Sequence, residues 1–405
     1  MEKFRSIFRP ESAYRAFFLS ILLMGLGYGL YKGVIDNYLA EIVSMTEFDR
    51  GVAEFFRELP GLALVFLLAA MYTLSAETIY KIGAVIMLCG MTMLFAVPSS
   101  RIWVTLAICV HSLGEHIQLG MKNTLSLEYA REGRGGAALG MQNALNQAGT
   151  LAGYIVVMFA FLFLSGAGAF RAFFLVSAVV LALGTASSMR LTGSSATDKS
   201  RSRFYFRRKY TKYYFLEVFY GARKQVFFTF GPYVLILFYG ASTATISLLF
   251  AVTAVCGFFA APLVGRIIDR VGYKAVMVTD TLILVIVCFF YGFAHHLFPM
   301  RVAYVICCVN YVLDSIISLA SMASNVYVQA ISDSTEEVRA TISTGISVNH
   351  LITILIALFG GWIWRALGIE TLFTLSAVLG LCNSAYAASI RVPGKQEKSS
   401  PGVPG

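Results

Sequence analysis

The chain alternates long apolar stretches with short polar breaks. Apolar residues dominate roughly 14–40, 50–76, 80–98, 101–128, 135–164, 168–190, 211–239, 242–264, 274–294, 300–329, 338–362 and 370–391. Crossing a hydrocarbon core takes a helix of about 20 apolar residues, and these stretches are of that order. They are too long for strands, and a lone strand leaves its backbone unpaired in lipid, so a helix is predicted for each. The expectation is an all-α integral membrane protein with twelve transmembrane helices.

Composition agrees. The 405 residues are 58% hydrophobic and 13% charged, where soluble domains carry about 25% charged residues. That excludes an ordinary soluble enzyme, a disordered chain and a disulfide-rich secreted domain. The seven cysteines all fall in apolar stretches without metal-ligand spacing, and read as small apolar residues. No phosphate-cradling G-x-x-x-x-G-K-[ST] loop occurs. No cofactor or metal is expected: His111 with Glu115 is the weaker reading of that segment, and His111-Ser-Leu-Gly-Glu-His116 lacks zinc-protease spacing. His295-His296 is expected in a solvated external loop.

The net charge is +10, and its distribution says more than its sum. With the N-terminus inside, the inner segments carry 22 Lys and Arg and the outer loops, Arg50 among them, carry 5. Such a bias places both termini in the cytoplasm and fits a multi-pass protein of the plasma (inner) membrane. Residues 191–212 are polar and basic. They read as a cytoplasmic linker against anionic lipid headgroups rather than a nucleic-acid site. The linker divides a six-helix bundle at 1–190 from another at 213–392, and 393–405 reads as a disordered tail.

The two parts echo each other. Tyr28-Gly29-x-x-Lys32-x-Val34 returns as Tyr220-Gly221-x-x-Lys224-x-Val226, and Tyr80-Lys81 as Tyr273-Lys274. Cys109-Val110-His111 with Glu115 returns as Cys308-Val309-Asn310 with Asp314, and Asn146-Gln147 as Asn349-His350. Every match pairs span n with span n+6. Parallel six-helix pseudo-repeats with a binding site between them are a transporter architecture.

Gly265-Arg-Ile-Ile-Asp269-Arg270-Val-Gly272-Tyr273-Lys274 resembles the cytoplasmic-loop signature of the major facilitator superfamily, G-x-x-x-D-R-x-G-R-K, with Tyr273 in place of an arginine. The span count, the middle linker and the repeat extend the resemblance over essentially the whole chain. It implies the major facilitator fold and a gating role for Gly265, Asp269, Arg270 and Gly272. That family's best copy usually lies between spans 2 and 3; here that loop reads Ser75-Ala-Glu-Thr-Ile-Tyr-Lys81, a degenerate version. The resemblance also implies that spans 3, 6, 9 and 12 stand outside the cavity, and these are the plainer spans here.

A charge at the bilayer centre costs about 2.5–3.5 kcal/mol on insertion scales, so charges inside spans are expected to face a cavity or one another. Lys32 and Lys224 read either as paired cations gripping an anion or, for Lys32, as a partner of Asp36 one turn away. Tyr28, Lys122, Asn146, Tyr220, Arg223 and Asn310 complete the predicted substrate-binding set. Glu115, Asp314 and Asp36 are candidates for carrying a proton, with ion pairs to Lys122 or Arg223 as the alternative for the first two. Arg57-Glu58 reads as a gate or a structural salt bridge. Paired basic residues on spans 1 and 7 resemble the organophosphate/phosphate exchangers of the superfamily. The predicted function is a secondary active transporter for a small organic anion, monomeric, coupled to a proton or counter-ion and not an enzyme. The alternatives are an exporter of drug-like or cationic compounds, an intramembrane metal enzyme and a solute sensor. Asn146-Gln147-Ala-Gly-Thr-Leu-Ala-Gly153 lacks the proline of the exporter element of span 5, which weighs against export.

Overall fold

The computed structural model describes residues 7–10, 12–71, 73–191 and 206–390. Most of the expected linker (192–205) and the tail from 393 lie outside the described residues. The helices are α1 (Tyr14–Asn37), α2 (Glu47–Ala70), α3 (Ala76–Ala96), α4 (Arg101–Tyr129), α5 (Gly135–Ala160), α6 (Gly166–Met189), α7 (Thr211–Leu237), α8 (Thr243–Val271), α9 (Tyr273–Leu297), α10 (Met300–Ile317), α11 (Met322–Ile331) and α12 (Thr335–Ala388).

The helix count differs from the sequence expectation at its last members. A 3-10 turn over Ser318–Ser321 splits the tenth predicted span into α10 and α11. The eleventh and twelfth run together as α12, which at about 1.5 Å per residue would be far longer than a bilayer is thick if it were straight. Gly368, at φ 87°, interrupts it. Lys209 binds Asp333 beside the start of α12 at 2.7 Å, and Lys212 donates to the carbonyl of Ser389 past its end at 2.6 Å. Two lysines one turn apart thus hold both ends, so α12 doubles back at Gly368.

Helix starts follow local chemistry. Thr46 and Asp49 form a reciprocal capping pair, with the Thr46 amide donating to Asp49 Oδ2 and the Asp49 amide to Thr46 Oγ1. That starts α2 at Glu47 and draws Arg50, expected in an external loop, into the helix. Ser75, Ser100, Ser242 and Ser334 cap α3, α4, α8 and α12. Among the described residues, seven helical runs are long and apolar enough to cross a membrane by length and composition. α2, α4, α5 and α7 are not among them. α2, α4 and α7 carry charges within the helix, and α5 carries the amides Gln142, Asn143, Asn146 and Gln147. The least lipid-like helices are therefore those that bring polar groups to the interior.

Small residues set the closest helix contact. A Cβ on Gly29 of α1 would strike the Thr150 carbonyl of α5, and one on Gly153 would lie 2.6 Å from the Leu30 amide. α7 packs in a similar way on the first part of α12, where Gly221 meets Asn349 and Ile352. Lys81 donates to the Leu191 carbonyl at 2.7 Å and Lys274 to the Ile390 carbonyl at 2.8 Å.

Three apolar clusters form the core. One draws on both the α1–α6 and α7–α12 sets, including Val34, Tyr38, Phe174, Phe230, Tyr233 and Phe373. The other two each lie within one set, around Phe17, Tyr80 and Leu125 and around Tyr213, Ala323 and Tyr327. The sets share a core at the end where α1 passes into α2, and have separate cores at the end where α1 and α7 begin.

Candidate functional site

A layer of buried charge lies beneath the shared core. Lys32 Nζ bonds Asp36 Oδ2 at 2.7 Å, and Arg50 reaches Asp36 Oδ1 at 3.2 Å and Glu54 Oε2 at 2.8 Å. Arg57 bonds Glu54 Oε1 at 2.7 Å and also pairs with Glu58. Arg50, Glu54, Arg57 and Glu58 recur at helical spacing on one face of α2. Asp36, Arg50, Glu54 and Glu58 are buried. Each carboxylate meets a cation, which is what makes burial of this many charges tolerable.

The C-terminal set closes over this layer. Gln225 of α7 donates to Glu54 Oε1 at 3.0 Å, and His350 Nδ1 of α12 lies 2.9 Å from Glu58 Oε2. Further hydrogen bonds join the sets at the same end: Asn37 to the Ala241 carbonyl, Tyr233 to the Met45 carbonyl and Ser247 to the Gly33 carbonyl. Phe228 and Phe250 each stand 5.2 Å from Lys32 Nζ.

Past the layer lies a cavity of about 450 Å³ between α1, α4 and α5 on one side and α8 with the α10 region on the other. Tyr28, Glu115, Gln118, Lys122, Asn146 and Gln147 supply much of its polar lining, and Phe250, Leu119 and Leu319 part of its apolar lining. Glu115 and Tyr28 also face the narrow void inside the charge layer. Neither Glu115 nor Lys122 has an ion pair among the described residues, so both charges are available to an occupant.

The remaining predicted residues fall elsewhere. Lys32 is buried in the layer against Asp36, whereas Lys224 is exposed on α7. Arg223 is buried over the Tyr220 ring, and among the described residues its two terminal nitrogens lack hydrogen-bond partners, as does Asp314 Oδ1. Tyr220 donates to the Ser318 carbonyl and Asn310 to the Ile306 carbonyl. His111 does not pair with Glu115: its Nδ1 lies 3.0 Å from the Met87 carbonyl and its ring packs on Tyr31. His295 and His296 lie in the last turn of α9, not in a loop, and both reach Glu370 Oε1.

Gly265, Asp269 and Arg270 lie on the last turns of α8, and Asp269 and Arg270 are exposed. Gly272, at φ 87°, is the single residue between α8 and α9, a conformation that a side chain would disfavour.

Sequence reasoning missed Arg50, Gln225 and His350 as members of the layer. The Thr46–Asp49 capping pair was the available signal for Arg50. Nothing local marks Gln225 or His350, whose partners lie 171 and 292 residues away.

Among curated proteins none matches this sequence. The structure is similar to a mutant of nucleoside transporter NupG, with TM-score 0.72 and 16% identity over 93% of this chain and 99% of that one. A bacterial homolog of the human lysosomal transporter Spinster, inward-facing and unoccupied, superposes with TM-score 0.68 and 14% identity, covering 93% of this chain and 95% of the other. A peptide transporter POT in complex with alafosfalin gives 0.69 and 12%, covering 92% and 93%. At these identities the likeness speaks for the fold. The Major Facilitator Superfamily profile matches residues 213–405, somewhat under half of the chain, and nearly the whole chain takes the fold of solved transporters, with several helical runs long and apolar enough to cross a membrane.

Proposed function

We propose that this chain is a secondary active transporter in which two six-helix halves, of twelve crossings in all, rock about the central cavity. The cargo is a small organic anion, moved with proton coupling or in exchange for another anion. The observation that carries the reading is the cavity itself: Lys122 and Glu115 face it without ion pairs, and a cross-linked charge layer seals one end. A carboxylate or phosphate would gain the contact that Lys122 lacks, while the amides of Gln118, Asn146 and Gln147 can take polar groups of the cargo. The cation gripping the anion is thus Lys122 rather than a Lys32–Lys224 pair. Glu115, between the cavity and the layer, can carry a proton whose arrival alters the layer's charge balance.

The equivalent lysine contacts, Lys81 to Leu191 and Lys274 to Ile390, support the six-helix repeat. Tyr220, Arg223, Lys224, Asn310 and Asp314 belong to the C-terminal wall. The unpartnered nitrogens of Arg223 and Oδ1 of Asp314 suit groups whose partners arrive in another state. Gly265, Asp269, Arg270 and Gly272 would act in closing the end that is open here.

Proteoliposome uptake tests the reading with labelled carboxylates, organophosphates, nucleosides and organic cations, with and without a pH gradient. Uptake of an anion is expected. Lys122→Gln should raise its KM about tenfold, the loss of roughly 1.4 kcal/mol of binding. Glu115→Gln should keep exchange and lose proton-driven accumulation. Flux of cations or nucleosides alone would overturn the anion assignment, and an unchanged KM in Lys122→Gln would remove that residue from the site.

A further inference from the structure

One side-chain cluster lies outside the cavity lining and shares only Glu58, through its pairing with Arg57, with the ion pairs of α2. Glu58 of α2, His116 of α4 and His350 of α12 place one ligand atom each within 4.8 Å of one another. We propose that these three residues bind a divalent transition-metal ion of the zinc type, and that the ion staples the two halves of the protein together at the sealed end of the cavity. The proposal does not depend on what the cavity carries.

The ligand chemistry is specific. Two imidazoles and one carboxylate, with a further position left open, are a recognised donor set for Zn²⁺. His116 is held in a ligating orientation, with its Nδ1 2.8 Å from the Ser112 carbonyl on the same helix. A proton on Nδ1 satisfies that carbonyl and leaves the lone pair on Nε2, the hydrogen-bonding arrangement that orients metal-bound imidazoles. Nε2 has no hydrogen-bond partner among the described residues. The His116 and His350 ring centroids are 5.2 Å apart.

Gly61 supplies the room. A Cβ there would lie 2.8 Å from His116 Nε2 and 2.9 Å from His350 Nδ1, so any larger residue would crowd the space the two nitrogens face. The Glu58–His350 hydrogen bond, at 2.9 Å, must lengthen by a few tenths of an ångström to admit an ion about 2.0–2.2 Å from each donor. The electrostatics favour a cation. Asp36, Glu54, Glu58 and Glu115 set four carboxylates against the three cations Lys32, Arg50 and Arg57. The His350 side chain is 21% exposed, which gives an ion a way in.

The consequence follows from topology. Glu58 and His116 belong to the N-terminal set and His350 to the C-terminal set, so an ion held by all three opposes their separation. Nothing in the sequence marks the site: the nearest two ligands are 58 residues apart, and the third is 234 further on.

The test uses the purified full chain in detergent, stripped of metal and titrated with Zn²⁺ and Co²⁺. One Zn²⁺ per chain, a raised melting temperature and the intense visible absorption of tetrahedral Co²⁺ are expected. Zinc-edge X-ray absorption on the wild-type chain should show two imidazoles bound to the metal. His116→Ala and His350→Ala should each abolish stoichiometric binding, and Gly61→Ala should weaken it. His295→Ala with His296→Ala, at the separate cluster around Glu370, should leave it intact. Absence of binding to the wild type, coordination by sulfur or by water alone, or binding that survives loss of His116 but not of His295 and His296 would overturn the proposal. Because the wild-type spectra stand alone, misfolding of a variant does not blunt the test.

Discussion

Arg50 is the hinge of the buried charge layer. Among the described residues it is the one side chain that bridges Asp36 on α1 to Glu54 on α2. Removing one partner of a buried pair leaves a desolvated charge behind, typically costing about 3–5 kcal/mol. Arg50→Met should fall within that range, lowering the melting temperature in detergent by several degrees or more. Lys32→Met should cost less, because Asp36 keeps Arg50 when Lys32 is gone. Thermal unfolding of the two variants side by side checks the order, and a Lys32 variant less stable than the Arg50 variant would contradict the bridging role. The residue scale is also where the sequence was least legible. The pairing of Lys32 with Asp36 could be read from their i, i+4 spacing. The exposure of Lys224 could not, because the repeat relates positions in sequence while each side chain answers to its own neighbours. His350 is the extreme case, since its partner Glu58 is nearly three hundred residues away and belongs to the other set of helices.

At the scale of the element, close approach of α1 and α5 rests on glycine. A methyl group at Gly29 would collide with the Thr150 backbone, and in lipid such backbone contact supplies much of the association between helices. Gly29→Val should therefore separate the pair and sharply reduce folded yield on gel filtration. Gly140→Ala, on the same helix as Thr150 but with nothing within 4 Å of its added carbon, should leave the yield unchanged. The glycines of spans 1 and 5 are visible in the sequence, but which helix each one meets is set by the packing. Helix type and approximate position were legible, since long apolar runs in lipid admit no other backbone solution. Two breaks were not. The split between α10 and α11 falls at Ser318–Ser321 within an apolar run, and the reversal inside α12 turns on one glycine, Gly368, among helix-compatible neighbours. Single-residue backbone choices leave little trace in a hydropathy pattern.

At the scale of the whole molecule, the two helix sets share one core and keep two others apart. A solvent-filled cavity should therefore be reachable from the end where α1 and α7 begin and shielded from the end where α1 meets α2. This can be measured on a background in which the native cysteines, all free, are replaced. Gln147→Cys, on the cavity wall, should react quickly with a membrane-impermeant maleimide added to the side where α1 and α7 begin. Ala53→Cys, buried in the charge layer at 1% exposure, should be protected from both sides. Adding Glu58→Gln removes the carboxylate charge that binds His350 across the halves and weakens its pairing with Arg57. In that double variant, Ala53→Cys should become reactive from the opposite side as the sealed end loosens, while the reactivity of Gln147→Cys falls. Reciprocal change at the two positions is the signature of rocking between two states, because a cavity that merely loosened would raise both. If Ala53→Cys stays protected after Glu58→Gln, the Glu58 carboxylate is not what holds this end shut, and closure must rest on the remaining hydrogen bonds between the sets and the apolar contacts around Val34, Phe230 and Tyr233.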